Sequence, residues 1–192
     1  MAYVTRADVK QYLGITEADD DQLIADLISS ADKAIDAYTD RHFEASTKTR
    51  YYLRGDLMED DPQALWLGDD LLSLTSVANG DADGTAILTS DFFLLPRNYG
   101  PPYHQLRLKT DSTSSWEWDT DCYVAVVGTW GYSTTPPANI VQAARRLAGY
   151  YYRQKDSQVF DVTALPEQGV ITVPAGIPAD VKVLLAPYRK MI

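Results

Sequence analysis

Apolar residues recur at helical spacing early in the chain, where Leu23, Ile24, Leu27, Ile28, Ala31, Ala34, Ile35 and Tyr38 form one stripe. The stripe predicts a helix over Asp20–Arg41 that closes near residue 42. Before it, Thr5 to Leu13 reads as a short helix, with Thr5 and Asp8 as a capping box that uses the shorter carboxylate. Gly14 stands where a left-handed residue ends such a helix. A second start signal, Thr16-Glu17-Ala18-Asp19, places acids where they complement the helix dipole.

From Thr49 the period shortens. Thr49–Leu53, Ala64–Leu67, Leu71–Val77, Ala86–Leu88, Phe92–Leu95, Gln105–Lys109, Ser115–Trp118 and Cys122–Trp130 read as strands. Turn-rich pieces separate them: Gly55–Pro62, Asn79–Gly84, Asn98–Pro102 and Thr110–Ser114. A sandwich or small barrel-like sheet inserted between helices fits this order. The proline pair Pro136-Pro137 stops the last strand, and Ile140, Val141, Ala144, Leu147, Ala148 and Tyr151 then mark one face of a third helix. Past Ser157 comes a Pro- and Gly-punctuated arm in which Val170–Val173 reads as a short strand. A last helix spans Ala179–Leu185 and breaks near Pro187. The expected class is α+β: a helical core with an inserted antiparallel β-rich subdomain. Its parts are 1–48 (N-terminal helices), 49–132 (insertion), 133–156 (core helix) and 157–192 (arm and last helix).

Composition narrows the chemistry. A hydrophobic share of 45% is ample for a real core, so global disorder is not expected. Thirteen tyrosines against four phenylalanines favour half-buried sheet positions or protein contacts, because tyrosine joins apolar area to a hydroxyl. A net charge of −10 argues against gripping phosphates or anionic membranes, and it suits a conduit past which a polyanion slides. Cys122 is the single cysteine, so no intrachain disulfide forms. The N-terminus has no signal-peptide pattern and no run reaches the length of a membrane span, which reads as a cytoplasmic product.

Candidate chemistry is thin. His42 and His104 are the only histidines, and Cys122 sits in an apolar strand, so a triad or histidine metal site has little material. Asn79, Asp81 and Asp83, followed by Gly84, copy the first half of a calcium loop. The position that should supply the closing glutamate is Ser90, and an Asp-Gly hairpin turn explains the segment as well. Acidic runs at Asp19–Asp21, Asp56–Asp61 and Asp69–Asp70 lack a positioned partner group for acid–base work or for magnesium. No catalytic residue, metal or cofactor is assigned.

Tyr150, Tyr151 and Tyr152 point about 100° apart on one helix, so a single core cannot bury all three. With Arg153, they form a candidate partner interface beside the reading of partly exposed surface. Trp66, Trp116, Trp118 and Trp130 support an alternative, an aromatic-rich carbohydrate-binding or hydrolase-associated module; Trp116 and Trp118 would share a strand face.

Three stretches together resemble the head–tail connector (adaptor) proteins of tailed bacteriophages. They are Val4–Leu13; the N-terminal pattern of Asp21, Leu23, Ile24, Ala31, Ile35, Arg41 and Phe43; and the Trp130-Gly131-Tyr132 to Pro136-Pro137 to helix section. The resemblance spans nearly the whole chain and matches the longer variety, with a β-rich insertion. It implies a non-enzymatic ring, commonly of twelve copies, between the portal protein and a stopper or tail-completion protein in the virion neck. Genome DNA would pass through the ring without sequence-specific binding, and no membrane is involved. Twelve copies would carry a charge on the order of −120. The resemblance also implies docking of the C-terminal segment on the portal, for which Tyr188, Arg189 and Lys190 are the candidate contacts.

Overall fold

A computed structural model describes residues 2–80, 84–118, 123–157, 163–164, 171–172 and 176–190. The chain divides into two compact units, Met1–Asp40 with Pro136–Ile192, and Arg41–Thr135. The class is α+β, as the periodicities predict.

Helices α1 (Arg6–Leu13), α2 (Asp21–Thr39), α3 (Ala138–Ser157) and α4 (Ala179–Leu185) belong to the first unit. At the start of α1 the Thr5 hydroxyl accepts from the Asp8 amide at 3.2 Å, and the Asp8 carboxylate accepts from the Thr5 amide. Gly14 ends the helix at φ 72°, and the amide of Ile15 closes the turn on Lys10. The α2 stripe buries Ile24, Ile28, Ala31 and Ile35, while α3 buries Ile140, Ala143, Ala144, Leu147 and Ala148. Gly149 lets α1 come close to α3, since a Cβ there would lie 3.1 Å from the Tyr12 ring. Helix α4 adds Val181 and Leu185 to this core. The α2 helix stops at Thr39, short of residue 42, because Asp40 turns left-handed at φ 53°.

The second unit is one sheet of strands β1 (Ser46–Leu53), β2 (Leu57–Met58), β3 (Asp61–Asn79), β4 (Thr85–Ile87), β5 (Phe92–Leu95), β6 (Tyr103–Leu108) and β7 (Tyr123–Trp130). Its order is β1-β7-β3-β6-β5, all antiparallel, with β2 and β4 also on β3. The runs Ala64–Leu67 and Leu71–Val77 are one 19-residue strand. Straight, it would measure roughly 60 Å, too long for a unit whose radius of gyration should be about 12 Å. It therefore bends near Gly68, at φ 65°, where the pairing with β6 loses register. Its first part lies between β2 and β6, and its second between β7 and β4. Leu65, Leu67, Leu71 and Val77 meet Leu106, Val124, Val126 and Trp130 in the resulting core.

Two strand expectations change. Leu57–Met58, inside an expected turn, pairs with β3. Ser115–Trp118 is not a strand. Its backbone bonds instead to one side chain: Asn79 Nδ2 donates to the Ser115 carbonyl at 3.0 Å, and the Glu117 amide donates to Asn79 Oδ1 at 3.2 Å. In the arm, β8 (Thr163–Ala164) pairs with β9 (Ile171–Thr172); the flanking Val170 and Val173 lie outside the described residues.

Candidate functional site

The candidate interface residues fall at two places on the helical unit. Tyr150, Tyr151 and Tyr152 are each half-buried on α3. Tyr152 is held internally: its hydroxyl donates to Asp20 at 2.5 Å, and Lys155 donates to the same carboxylate at 2.5 Å. Those two bonds, that of Lys155 foremost, hold the Asp20 carboxyl below its ordinary pKa, and the bonds of Lys155 to Asp20 and then to the Tyr152 hydroxyl raise the pKa of Lys155. Asp21 is bound likewise by Lys10 at 2.7 Å. The acids at the start of α2 thus clamp it to α3 and α1, a role beyond dipole complementarity. Asp20, although it caps α2, makes no side-chain cap bond.

Tyr151 donates to the Gly176 carbonyl at 3.3 Å, and burial pushes its phenol pKa up. Tyr150 stacks beside it, ring centroids 6.1 Å apart. Arg153 is exposed. At the C-terminal end, the Lys190 amide donates to the Thr39 carbonyl at 2.9 Å, and the Arg189 guanidinium lies over the Tyr38 ring, 5.2 Å from its centroid. Tyr188 and Lys190 are half-buried and Arg189 is exposed. Both groups therefore show part of their surface from a packed scaffold.

In the sheet unit, Trp130-Gly131-Tyr132 is tightly fixed. Trp130 Nε1 donates to the Lys48 carbonyl at 3.0 Å, the Gly131 amide to Asp70 at 2.8 Å and the Tyr132 amide to His42 at 2.7 Å. The Tyr132 ring meets Phe43 edge-on and carries the Arg41 guanidinium. Arg41 in turn donates twice to the buried Asp70 carboxylate, at 2.6 and 2.8 Å, with His104 Nδ1 3.3 Å away. Arg50 binds Asp69 and stacks on Trp130. Each charge is matched by a neighbour, which is how a sheet holds buried ions.

Asn79 spends its amide on Ser115 and Glu117; Asp81, Asp83 and Cys122 lie outside the described residues. Among the described residues no cluster of metal-ligating side chains occurs, and no helix is long and apolar enough to cross a membrane. The four tryptophans do not form one patch. Trp130 is buried beside Tyr52, Trp66 lies near His104, and Trp116 stacks between Phe92 and Trp118 at 5.6 and 6.4 Å. Sequence reading missed Tyr99, the most exposed large hydrophobic among the described residues at 88%, although its setting Asn98-Tyr99-Gly100-Pro101-Pro102 marks a presented loop.

No curated protein matches the chain. Among solved structures, a chain in the neck of an empty GTA particle computed with C6 symmetry aligns at TM-score 0.63 and 18% identity, covering 97% of this chain and 89% of that one. A chain in the neck of a native GTA particle computed with C12 symmetry aligns at TM-score 0.61 and 18% identity, covering 97% and 88%. At that identity the likeness establishes the fold. Residues 4–70 match the model of the family described as Phage gp6-like head-tail connector protein. That segment holds α1, α2, β1, β2 and the first part of β3, and over it the chain is similar to the phage head–tail connector family.

Proposed function

We propose that this protein is a structural component of a virion neck, a connector that forms a ring beneath the portal, extends the DNA channel and offers the tail its attachment site. The family match over 4–70 carries this reading, and the fold shared with chains of particles solved in C6 and C12 symmetry supports a ring. Genome DNA would pass through without sequence-specific binding, and a stopper or tail-completion protein would follow below. The net charge of −10 per copy suits a wall that DNA must not adhere to. The family is structural, and no catalytic role is proposed.

The half-buried Tyr150, Tyr151 and Tyr152 with the exposed Arg153, and the C-terminal Tyr188, Arg189 and Lys190, are the proposed partner contacts, the second group on the portal. Purified protein mixed with purified portal rings and imaged by cryo-electron microscopy should show a second ring stacked on the portal. Arg189→Glu, on an exposed side chain, should reduce that decoration with the circular dichroism spectrum unchanged. Portal rings that stay bare with folded wild-type protein in excess would overturn the proposal.

A further inference from the structure

Both ends of the β5–β6 hairpin carry something the fold itself does not use. At one end the turn 96–102, Pro-Arg-Asn-Tyr-Gly-Pro-Pro, presents Tyr99 at 88% exposure. Prolines bracket this turn, so it loses little entropy when it is gripped. At the other end lies a cleft of about 410 Å³ lined by Arg54, Pro62, Gln63, Leu108, Trp116 and Trp118. The indoles are fixed from behind: Trp116 Nε1 donates to the Gln63 carbonyl at 3.2 Å and its ring rests on Phe92. A rigid, aromatic-walled cleft with a few polar groups is the kind of surface that receives proline-rich turns and aromatic anchors.

We propose that the turn 96–102 of one copy seats Tyr99 in the Trp116–Trp118 cleft of the next, so that this loop–cleft contact joins neighbouring subunits. Charge favours this occupant. The turn has no acid and one base, Arg97, and the cleft is flanked in the chain by two exposed acids, Asp56 and Glu117, against one lining base, Arg54. Copies that are strongly negative overall can meet here without acid facing acid. Geometry favours a neighbour over self-insertion. Tyr99 lies beyond the Tyr103 end of β6 and the cleft at its Leu108 end, and within its own copy Tyr99 is 88% exposed and therefore unseated. The two surfaces differ, so the contact is head-to-tail, the type that closes rings. This inference rests on the ring reading above and supplies its subunit contact.

The test is a titration of the full-length protein with a synthetic peptide of residues 95–103, followed by calorimetry and tryptophan fluorescence. Saturable binding is expected at or below about 1 mM, weakened at least about tenfold in a Tyr99→Ala peptide. Ser115→Arg, an exposed residue at the cleft wall, should abolish it with the circular dichroism spectrum intact. No saturation, binding indifferent to Ser115→Arg, or binding of cellohexaose in place of the peptide would each overturn the contact. On portal rings, full-length Tyr99→Ala should fail to close a second ring. If it closes rings as wild type does, the contact falls and the ring reading stands. Wild-type protein that binds the peptide yet never forms a ring overturns the ring reading and leaves the loop–cleft contact in place.

Discussion

A methyl group at position 131 has no room. Gly131 sits at φ 140°, and a Cβ there would lie 2.8 Å from Ala45 Cα, a backbone atom that no rotamer change can move. Gly131→Ala is therefore expected to destabilise the sheet unit by about 3 kcal/mol, from combined backbone strain and overpacking. Urea unfolding followed by tryptophan fluorescence reads this directly, because all four tryptophans lie in Arg41–Thr135. An unchanged midpoint would show that the Glu44–Ala45 backbone yields.

Asp20 makes the opposite kind of residue-scale statement, through charge. Its carboxyl pKa is lowered by the Lys155 and Tyr152 bonds. The stability it contributes is thus fully present above the ordinary carboxylate pKa of about 4 and is lost as pH falls through the lowered value. The raised pKa of Lys155 describes the same bond from its other partner, so the effect is counted once. Thermal melts of Asp20→Asn should show a lower midpoint than wild type at pH 7 and a smaller drop on acidification below about pH 4. Parallel acid limbs for the two proteins would mean that the clamp contributes nothing.

Among the elements, α4 separates pattern from packing. Its Val181 and Leu185 are fully buried, yet Val183 between them is 72% exposed. Leu185→Ala should cost about 2–5 kcal/mol, while Val183→Ser should stay within about 0.5 kcal/mol; helical circular dichroism through urea unfolding measures both. Equal effects would mean that α4 is not docked as described. The C-terminal segment accordingly helps build the helical core, and cutting the chain at Ser157 would remove Val181 and Leu185 from it. Helices α1, α2, α3 and α4 were legible because their stripes, caps and prolines are local signals. Strand β3 was not: Gly68 breaks its period, so two runs read as separate strands until long-range pairing joined them. Ser115–Trp118 failed for the converse reason, since alternating residues found a side-chain partner in Asn79 before any strand neighbour.

For the whole molecule, charge sets the terms of assembly. The sheet unit holds fourteen acids against seven bases, the helical unit thirteen against ten. Copies of such a chain repel unless contacts form where charge is absent or opposed. The Tyr99 turn and the tryptophan cleft meet that condition, as do the tyrosines of α3. Residues 4–70 match the model of a head–tail connector family, and the chain as a whole, at 18% identity, aligns with a neck chain over 97% of its length in three dimensions.

By itself, the sequence determined the class of each helix, the place of the inserted sheet, the capping at Thr5 and Gly14, and the likeness of its N-terminal third to a connector family. These follow from signals within a few residues of one another. The tertiary structure decided that Asp20 and Tyr152 share a bond across 132 residues, that β3 bends between two sets of partners, and that Trp116 and Trp118 line a cleft at the Leu108 end of β6, the end away from Tyr99. Such pairings are chosen by burial and by the satisfaction of polar groups over the whole chain, and no local pattern encodes them.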